Sequence, residues 1–176
     1  MKKIEKFIYI AIGLSIIAII AGFFIDSKTV MMILFALLLL VGYVIYKEKI
    51  GQQLVIAFLM AIALTSSYYY EYNSFNLFIG GINLFPLICW TFGLVVLREI
   101  YEKVKIKNKF LIVSIIYIIV LFLVEYIGYY LLKIKLNSNF PSLFGIGIIH
   151  GSIGLKLFYI LAGPVYLKIT DYLHVK

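Results

Sequence analysis

The sequence predicts an all-α integral membrane protein, a bundle of about six transmembrane helices with a broken interfacial or re-entrant segment before the last helix. Hydrophobic residues make up 64% of the 176 residues and charged residues only 14%, and the mean hydropathy is +1.09. A soluble domain is about half apolar and about a quarter charged. The apolar residues also fall into runs that are long enough, or nearly so, to cross a hydrocarbon core about 30 Å thick.

The runs predict one transmembrane domain over residues 1–176. The predicted spans are residues 7–25, 30–46, 54–70, 77–97, 110–132 and 153–173. The first span follows Lys2, Lys3 and Lys6, as a secretory signal peptide would, but its 19 uncharged residues exceed the apolar core of about 7–15 residues that is typical of a signal peptide. We therefore predict that the first span is retained.

Two stretches of the sequence break the helical pattern. Pro86 lies inside the fourth predicted span, where a missing backbone donor predicts a kink. Residues 136–151 contain Pro141 and several glycines among their apolar residues. This stretch is too broken to cross a bilayer alone, which favours an interfacial or re-entrant segment.

The basic residues are distributed unequally between alternate sides of the predicted bundle. With Lys156 and Lys168 of the last span counted at its nearer ends, the N-terminus, the second and fourth loops and the C-terminus hold 12 Lys and Arg residues, and the other three loops hold 4. Because basic loops stay in the cytoplasm, this asymmetry predicts a protein of the cell membrane with both termini cytoplasmic.

The net charge of +8 would indicate nucleic acid binding in a soluble protein. Here the basic residues lie between apolar runs, so we predict contacts with lipid headgroups and the bilayer as partner, without nucleic acid. Cys89 is the single cysteine, and His150 and His174 lie 24 residues apart. This spacing predicts no metal site, and no cofactor is predicted.

Glu125 is the one carboxylate inside the fifth predicted span. An ionisable group at membrane depth is costly, so it faces protein or a wet cavity and indicates a functional site. Because no Lys or Arg shares its span, desolvation predicts that Glu125 carries a proton at neutral pH. Glu125 belongs to a stripe of residues at helical spacing, and we expect this stripe to face other helices. The stripe consists of Ser114, Tyr117, Leu121, Glu125, Gly128 and Tyr129.

Matching depths across the helical hairpin predicts which polar residues accompany Glu125. With Leu97 and Phe110 placed at the same level, Asn83 reaches the depth of Glu125, and we expect a hydrogen bond or one bridging water between them. Counting along the neighbouring spans adds further polar groups. The predicted intramembrane site consists of Glu125, Asn83, Ser66, Ser67 and Tyr159, and its predicted outer mouth consists of Glu71, Asn73, His150 and Lys156.

Structural roles are the alternative for each of these residues. Asn83, Ser66 and Ser67 are also typical of polar contacts between membrane helices. The tyrosines around Glu71 are typical of an interfacial aromatic belt, and His150 of an interfacial side chain. A protonated Glu125 bonded to Asn83 would itself be a purely structural arrangement.

Three functions fit this sequence. The leading hypothesis is a non-enzymatic membrane protein that binds or translocates a small solute, ion or lipid-like molecule at a polar site in the outer half of the bilayer. The alternatives are a small membrane enzyme acting on a lipid or isoprenoid, and a structural or assembly subunit that forms homo- or hetero-oligomers. An enzyme needs at least two titratable groups that converge at hydrogen-bond range, and the sequence contains no recognised catalytic motif.

Overall fold

Helices make up most of the fold. The structure, a computed structural model, describes residues 3–137 and 140–174. In chain order its elements are α1 (Lys3–Ala21), α2 (Ser27–Ser66), β1 (Phe78–Ile79), β2 (Ile82–Asn83), α3 (Leu84–Lys103), α4 (Lys109–Tyr126), a π-helical turn (Ile127–Leu131), a 3₁₀ turn (Leu143–Gly145) and α5 (Ile153–Tyr172). The predicted helical class is confirmed.

Four helical stretches of the described residues are long and apolar enough to cross a membrane, judged by length and composition alone. They are Ser27–Lys47, Leu84–Lys103, Lys109–Leu131 and Ile153–Tyr172. Ile50–Ser66 is apolar but shorter. Helix α1 has 19 residues and ends at Ala21 rather than at the predicted residue 25, because residues 22–26 turn the chain into α2.

Helix α2 doubles back on itself at Tyr46, whose backbone leaves the helical region (φ −119°, ψ 22°). A straight helix would hold Lys28 about 57 Å from Ser66. The Lys28 ammonium nevertheless reaches the carbonyl oxygen of Ser74 at 3.5 Å, only eight residues beyond Ser66, a stretch that spans at most about 28 Å. The two arms, Ser27–Lys47 and Ile50–Ser66, therefore run antiparallel.

A β-hairpin replaces the start of the fourth predicted span. Phe78 pairs with Asn83, and Ile79 pairs with Ile82. Gly80 and Gly81 have φ values of 58° and 82°, the left-handed region that only glycine adopts without strain. These two glycines stop any helix from running through residues 77–83. The third predicted span is also too long, since α2 ends at Ser66 and not at Tyr70.

Helix α3 is consequently shifted along the chain relative to the prediction. It begins at Leu84 and continues to Lys103, so Arg98 lies inside the helix and not in a basic loop. Pro86 falls in the first helical turn, where its missing N–H would have had no helical partner. The predicted kink at Pro86 is therefore wrong.

The core lies between the second arm of α2, α3 and α5. Small residues of α2, such as Ala57 and Ala61, are fully buried against this group. Tyr166 and Leu167 of α5 and Leu94 of α3 are also buried. In contrast, α1, the first arm of α2 and α4 expose many large apolar side chains. The irregular residues 67–77, 132–137 and 140–152, with the hairpin, form a layer at one end of the helices, which we call the loop end.

Candidate functional site

Glu125 lies in α4 near the loop end, and the stripe that carries it faces α5. The Tyr117 ring packs so closely on Gly163 that a Cβ atom there would lie 2.7 Å from its ring carbons. The Tyr117 hydroxyl donates a hydrogen bond of 2.5 Å to the carbonyl oxygen of Tyr159. Glu125, two turns further along the same face, is half-buried.

No hydrogen bond or ion pair joins the Glu125 carboxyl to another residue within 3–137 and 140–174. The groups that interact with it electrostatically are neutral at pH 7. They are the phenols of Tyr70, Tyr72, Tyr117 and Tyr159 and the thiol of Cys89. The carboxyl thus lies among phenols and has no cationic partner in the described chain.

Four tyrosines, Tyr70, Tyr72, Tyr117 and Tyr159, come from three parts of the fold, and we call them the tyrosine cluster. Tyr159 meets Trp90 edge to face at 4.8 Å between ring centroids. Tyr72 stacks on Tyr70 at 6.5 Å and meets Phe85 at 5.2 Å. Aromatic contacts of this kind hold the rings in fixed orientations.

The hydroxyl of Tyr70 is the unsatisfied polar group of the tyrosine cluster. Tyr70 is 2% exposed, and its hydroxyl has no hydrogen-bond partner among the described residues. Burial raises the pKa of Tyr70, and the Glu125 charge raises it further, against the opposite effect of the nearby Tyr159 hydroxyl. Burial and the Glu125 charge likewise raise the pKa of Tyr72. Both phenols therefore keep their protons at neutral pH and can donate hydrogen bonds.

Lys28 adds a buried cation beside the tyrosine cluster. Its ammonium donates to the carbonyl oxygen of Phe75 and, at 3.2 Å, to Oδ1 of Asn76. It also lies 5.1 Å from the centre of the Tyr72 ring, and the residue is 3% exposed. The loop end thus already holds one ammonium group between oxygen atoms and an aromatic face. The sequence gives no direct sign of this, because Lys28 lies in a predicted loop.

Asn83 does not form the direct hydrogen bond to Glu125 that depth matching predicts. It caps α3 by accepting from the Phe85 amide at 3.0 Å. Its side-chain amide donates to the Tyr70 carbonyl oxygen at 2.8 Å and to Asn76 Oδ1 at 2.9 Å. Because the fourth helix begins at Leu84, Asn83 is its N-cap residue, and these bonds occupy the side-chain amide. Asn83 instead positions the backbone of Tyr70.

Ser66 and Ser67 bond to their own helix. The Ser66 hydroxyl donates to the Ala63 carbonyl oxygen at 3.4 Å, and the Ser67 hydroxyl donates to that of Leu64 at 2.8 Å. Such back-bonding satisfies a hydroxyl locally. Of the predicted intramembrane residues, Tyr159 lies within electrostatic range of Glu125, whereas both serines have local partners.

The predicted mouth residues all lie at the loop end, but they form two separate pairs. Glu71 and Asn73 are one pair, and His150 and Lys156 are the other. The Glu71 carbonyl oxygen accepts from the Asn137 amide at 2.7 Å, and the Asn73 amide donates to the Lys135 carbonyl oxygen at 2.9 Å. These bonds join residues 71–73 to residues 135–137. The two loops of the loop end are thereby held together.

His150 and Lys156 form the other pair. The His150 ring stacks on Tyr129 at 5.2 Å, and the Lys156 ammonium donates to the Ser142 carbonyl oxygen at 3.3 Å. Partial burial and the charge of Lys156 lower the pKa of His150, so the ring is neutral at pH 7.

A second cluster of polar residues lies at the opposite end of the helices, and the sequence analysis does not predict it. We call it the Arg98 cluster: Gln53, Arg98, Tyr101, Glu102, Thr170 and Asp171. Arg98 is 6% exposed. Its guanidinium donates to Asp171 at 2.6 Å, to Thr170 at 3.1 Å and to Glu102 at 3.2 Å.

The other members of the Arg98 cluster extend it to α2. Tyr101 donates to Asp171 at 2.8 Å. Gln53 is fully buried, its side-chain amide lies 3.5 Å from Glu102, and its Oε1 has no hydrogen-bond partner among the described residues. The signal in the sequence is that Arg98 is the single arginine among 16 basic residues, because arginine is the residue that suits buried ion pairs.

No group of three or more His, Cys, Asp or Glu side chains that could hold a metal ion occurs in the part of the chain that the structure describes. Comparison with protein-family models, curated proteins and solved structures gives no match for this chain.

Proposed function

We propose that this chain is a multi-pass membrane protein that binds or translocates a small, positively charged solute at Glu125. The support for a membrane location is the length and composition of four helices and the large apolar side chains exposed along α1, α2 and α4. In water, apolar patches of this extent would cause aggregation.

The observation that carries the proposed function is the lack of a protein partner for Glu125. A carboxylate out of water is costly unless it has a cation, hydrogen-bond donors or a proton. No described residue supplies a cation or a donor at bonding distance. In the proposed function, a proton occupies the carboxyl in the resting protein and a cationic solute replaces it.

The tyrosine cluster supports an organic cation as the solute. Aromatic faces attract ammonium groups through the ring quadrupole, and the buried Tyr70 hydroxyl offers a further polar contact. Lys28 is an example within the protein, because its ammonium lies over the Tyr72 ring. A divalent metal ion would require several oxygen ligands together, and no group of three or more His, Cys, Asp or Glu side chains includes Glu125 among the described residues.

The orientation belongs to the same proposal. With 12 basic residues at the predicted cytoplasmic side and 4 at the other, we propose that both termini and the Arg98 cluster face the cytoplasm of a cell membrane. The loop end and the tyrosine cluster then lie in the outer half of the bilayer. A solute would reach Glu125 from outside through the loop end.

Binding is favoured over the alternative of a membrane enzyme. The two candidate acid or base residues, Glu125 and His150, have different neighbours, since the His150 ring stacks on Tyr129. An enzyme would require two such groups converging on one substrate atom. The alternative of a structural subunit makes a different prediction, because such a subunit binds no small cation.

The experiment uses Trp90, the only tryptophan of the chain, which contacts Tyr159 of the tyrosine cluster. The purified full-length protein in detergent is titrated with tetramethylammonium, ethylammonium, Na⁺ and K⁺ while Trp90 fluorescence is recorded. We expect a saturable change with at least one of the ammonium ions. Glu125→Gln should weaken it at least about tenfold, the value of one hydrogen bond to a charged group.

Glu5→Gln serves as the matched control, because Glu5 is an exposed carboxylate of α1 far along the chain from the cluster. It should bind as the unmodified protein does. The proposed function is wrong if none of the four cations changes the fluorescence, or if Glu125→Gln binds them with unchanged affinity.

A further inference from the structure

We infer that residues 142–149 lie in the interface between the headgroups and the acyl chains of the outer leaflet, with the side chains of Phe144 and Ile146 in contact with lipid. This inference goes beyond the proposed solute site but rests on the proposed membrane location. It selects the interfacial alternative over the re-entrant one for the broken segment before α5.

Residues 142–149 carry apolar side chains both toward the protein and away from it. Leu143, Ile148 and Ile149 are buried, at 8%, 1% and 5% exposure. Phe144 and Ile146 point away from the protein and are 80% and 45% exposed. A loop that faces water on its outer side carries polar residues there, whereas this one presents an aromatic ring and a branched aliphatic chain.

Phe144 has a strained backbone conformation. Its φ is 52°, and Ile149 has a φ of 50°. A bulky or β-branched residue in the left-handed region is strained. Unlike Asn or Gly, which would fit this conformation, phenylalanine supplies a ring that favours the membrane interface. Strain of this kind is retained where it serves a contact.

The segment lies between the end of α4 and the start of α5. The Tyr130 hydroxyl at the end of the α4 turn donates to the Ile146 carbonyl oxygen at 2.8 Å, and Lys156 of α5 donates to Ser142. The segment is thus held between the ends of two helices of membrane length. Exposed apolar residues continue on both sides, Leu131 at 69% and Ile153 at 77%, so the surrounding lipid is the occupant of this surface.

The segment does not lie deep in the hydrocarbon core. It has few backbone hydrogen bonds of its own, such as those between Leu143 and Ile148 and between Ile146 and Leu143. Unpaired backbone groups need water, so an irregular, lipid-exposed segment does not enter the hydrocarbon core. Lys133 and Lys156 lie in the same layer, where ammonium groups can contact lipid phosphates.

The test is electron paramagnetic resonance of spin-labelled cysteines in vesicles of phosphatidylcholine and phosphatidylglycerol. In a Cys89→Ala background, labels are placed by Phe144→Cys, by Leu123→Cys on the exposed face of α4, and by Glu71→Cys in the exposed loop. Accessibility to oxygen, which concentrates in lipid, is compared with accessibility to a water-soluble nickel chelate. We expect the ratio of oxygen to chelate accessibility at position 144 to lie between those at positions 123 and 71.

Ile146→Cys is the second variant, because it changes no residue of left-handed φ, and it should give the same intermediate ratio. The inference is overturned if positions 144 and 146 match position 71 while position 123 remains in lipid. If position 123 is also more accessible to the chelate, the membrane location fails together with the inference. Trp90 titration of the same variants separates both results from loss of the solute site.

Discussion

Two ionisable residues that are withdrawn from water, Arg98 and Glu125, are treated differently by this protein. The Arg98 guanidinium donates to two carboxylates and one hydroxyl at 2.6–3.2 Å, as a buried cation requires. Glu125 has no comparable partner among the described residues. A structural role explains Arg98, whereas Glu125 requires a proton or a ligand.

Arg98→Gln should destabilise the protein by about 3 kcal/mol, at the lower end of the cost of removing one partner from a buried ion pair. The lower end applies because Asp171 keeps contact with solvent, at 40% side-chain exposure. The measurement is thermal unfolding in detergent. Lys105→Gln, an exposed basic residue, is the control and should change stability by less than about 0.5 kcal/mol. Equal stability of the two variants would contradict a structural role for Arg98.

We predict that the stability of the protein depends on pH through Asp26. It caps α2, since its carboxylate accepts from the Thr29 amide at 3.1 Å and from the Thr29 hydroxyl at 2.5 Å. Partial burial acts to raise the pKa of Asp26, but these bonds outweigh it and the pKa is lowered. The stability that the charged cap contributes is therefore complete above the unfolded pKa of about 3.9 and is lost as the pH falls through the lower folded value.

Asp26→Ala should cost about 1 kcal/mol at pH 7, and this difference should shrink below pH ~4. Asp26→Asn keeps a neutral cap and is the matched control. Thermal unfolding in detergent at pH 7 and at acidic pH measures both variants. A difference between Asp26→Ala and the unmodified protein that stays constant over this range would rule out the charged cap.

At the residue scale, the sequence singles out Glu125 because a carboxylate is conspicuous in an apolar run, and depth counting predicts Tyr159 near the same level. It misses Lys28 and Arg98, because hydropathy assigns charged residues at the ends of apolar runs to loops. Tyr70 and Tyr72 follow a run and are predicted as interfacial belt residues, yet the loop folds them inward. Which tyrosines turn inward depends on hydrogen bonds between distant segments, such as Asn83 to Tyr70.

At the scale of elements, one local feature overrides the apolar pattern and another follows from it. Gly80 and Gly81 form a hairpin turn within an apolar run, so tertiary pairing replaces the predicted start of a helix. The turn of α2 at Tyr46 is anticipated by the charged residues that follow it, although helical backbone continues on both sides. The helical periodicity of α4 predicts the face that carries Glu125, because period 3.6 is a property of any helix. The contact between Tyr117 and Gly163 depends on a neighbouring helix and is not predictable from one segment.

Gly163→Ala should disrupt the contact between α4 and α5. An added Cβ would lie 2.7 Å from the Tyr117 ring, which forces the helices apart or the ring out of its position, and overpacking of this kind costs about 1–3 kcal/mol. Gly93→Ala is the matched control within α3, because nothing lies within 4 Å of the Cβ position there. We expect lower thermal stability for Gly163→Ala and no loss for Gly93→Ala. Equal stability of the two variants would contradict close packing of α4 on α5.

At the scale of the whole molecule, polar groups concentrate at the two ends of an apolar bundle. The Arg98 cluster joins α2, α3 and α5 at one end, and loop contacts between residues 71–73 and 135–137 close the other. Glu125 lies beside the tyrosine cluster and has no hydrogen-bond or ion-pair partner among the described residues. Ligand-dependent change is therefore expected first at the loop end, where irregular backbone can rearrange more easily than the helices.

The most direct measurement of the proposed solute site is charge displacement on a solid-supported membrane. Proteoliposomes that contain the full-length protein are exposed to a sudden rise in tetramethylammonium or ethylammonium concentration. We predict a transient current for the unmodified protein and for Glu5→Gln at alkaline pH, where Glu125 has already released its proton, because a positive charge then enters the membrane at Glu125 and no proton leaves in exchange. Glu125→Gln should give only the signal of empty liposomes. A current of equal size in Glu125→Gln, or no current in the unmodified protein with either ammonium ion, would contradict cation binding at Glu125.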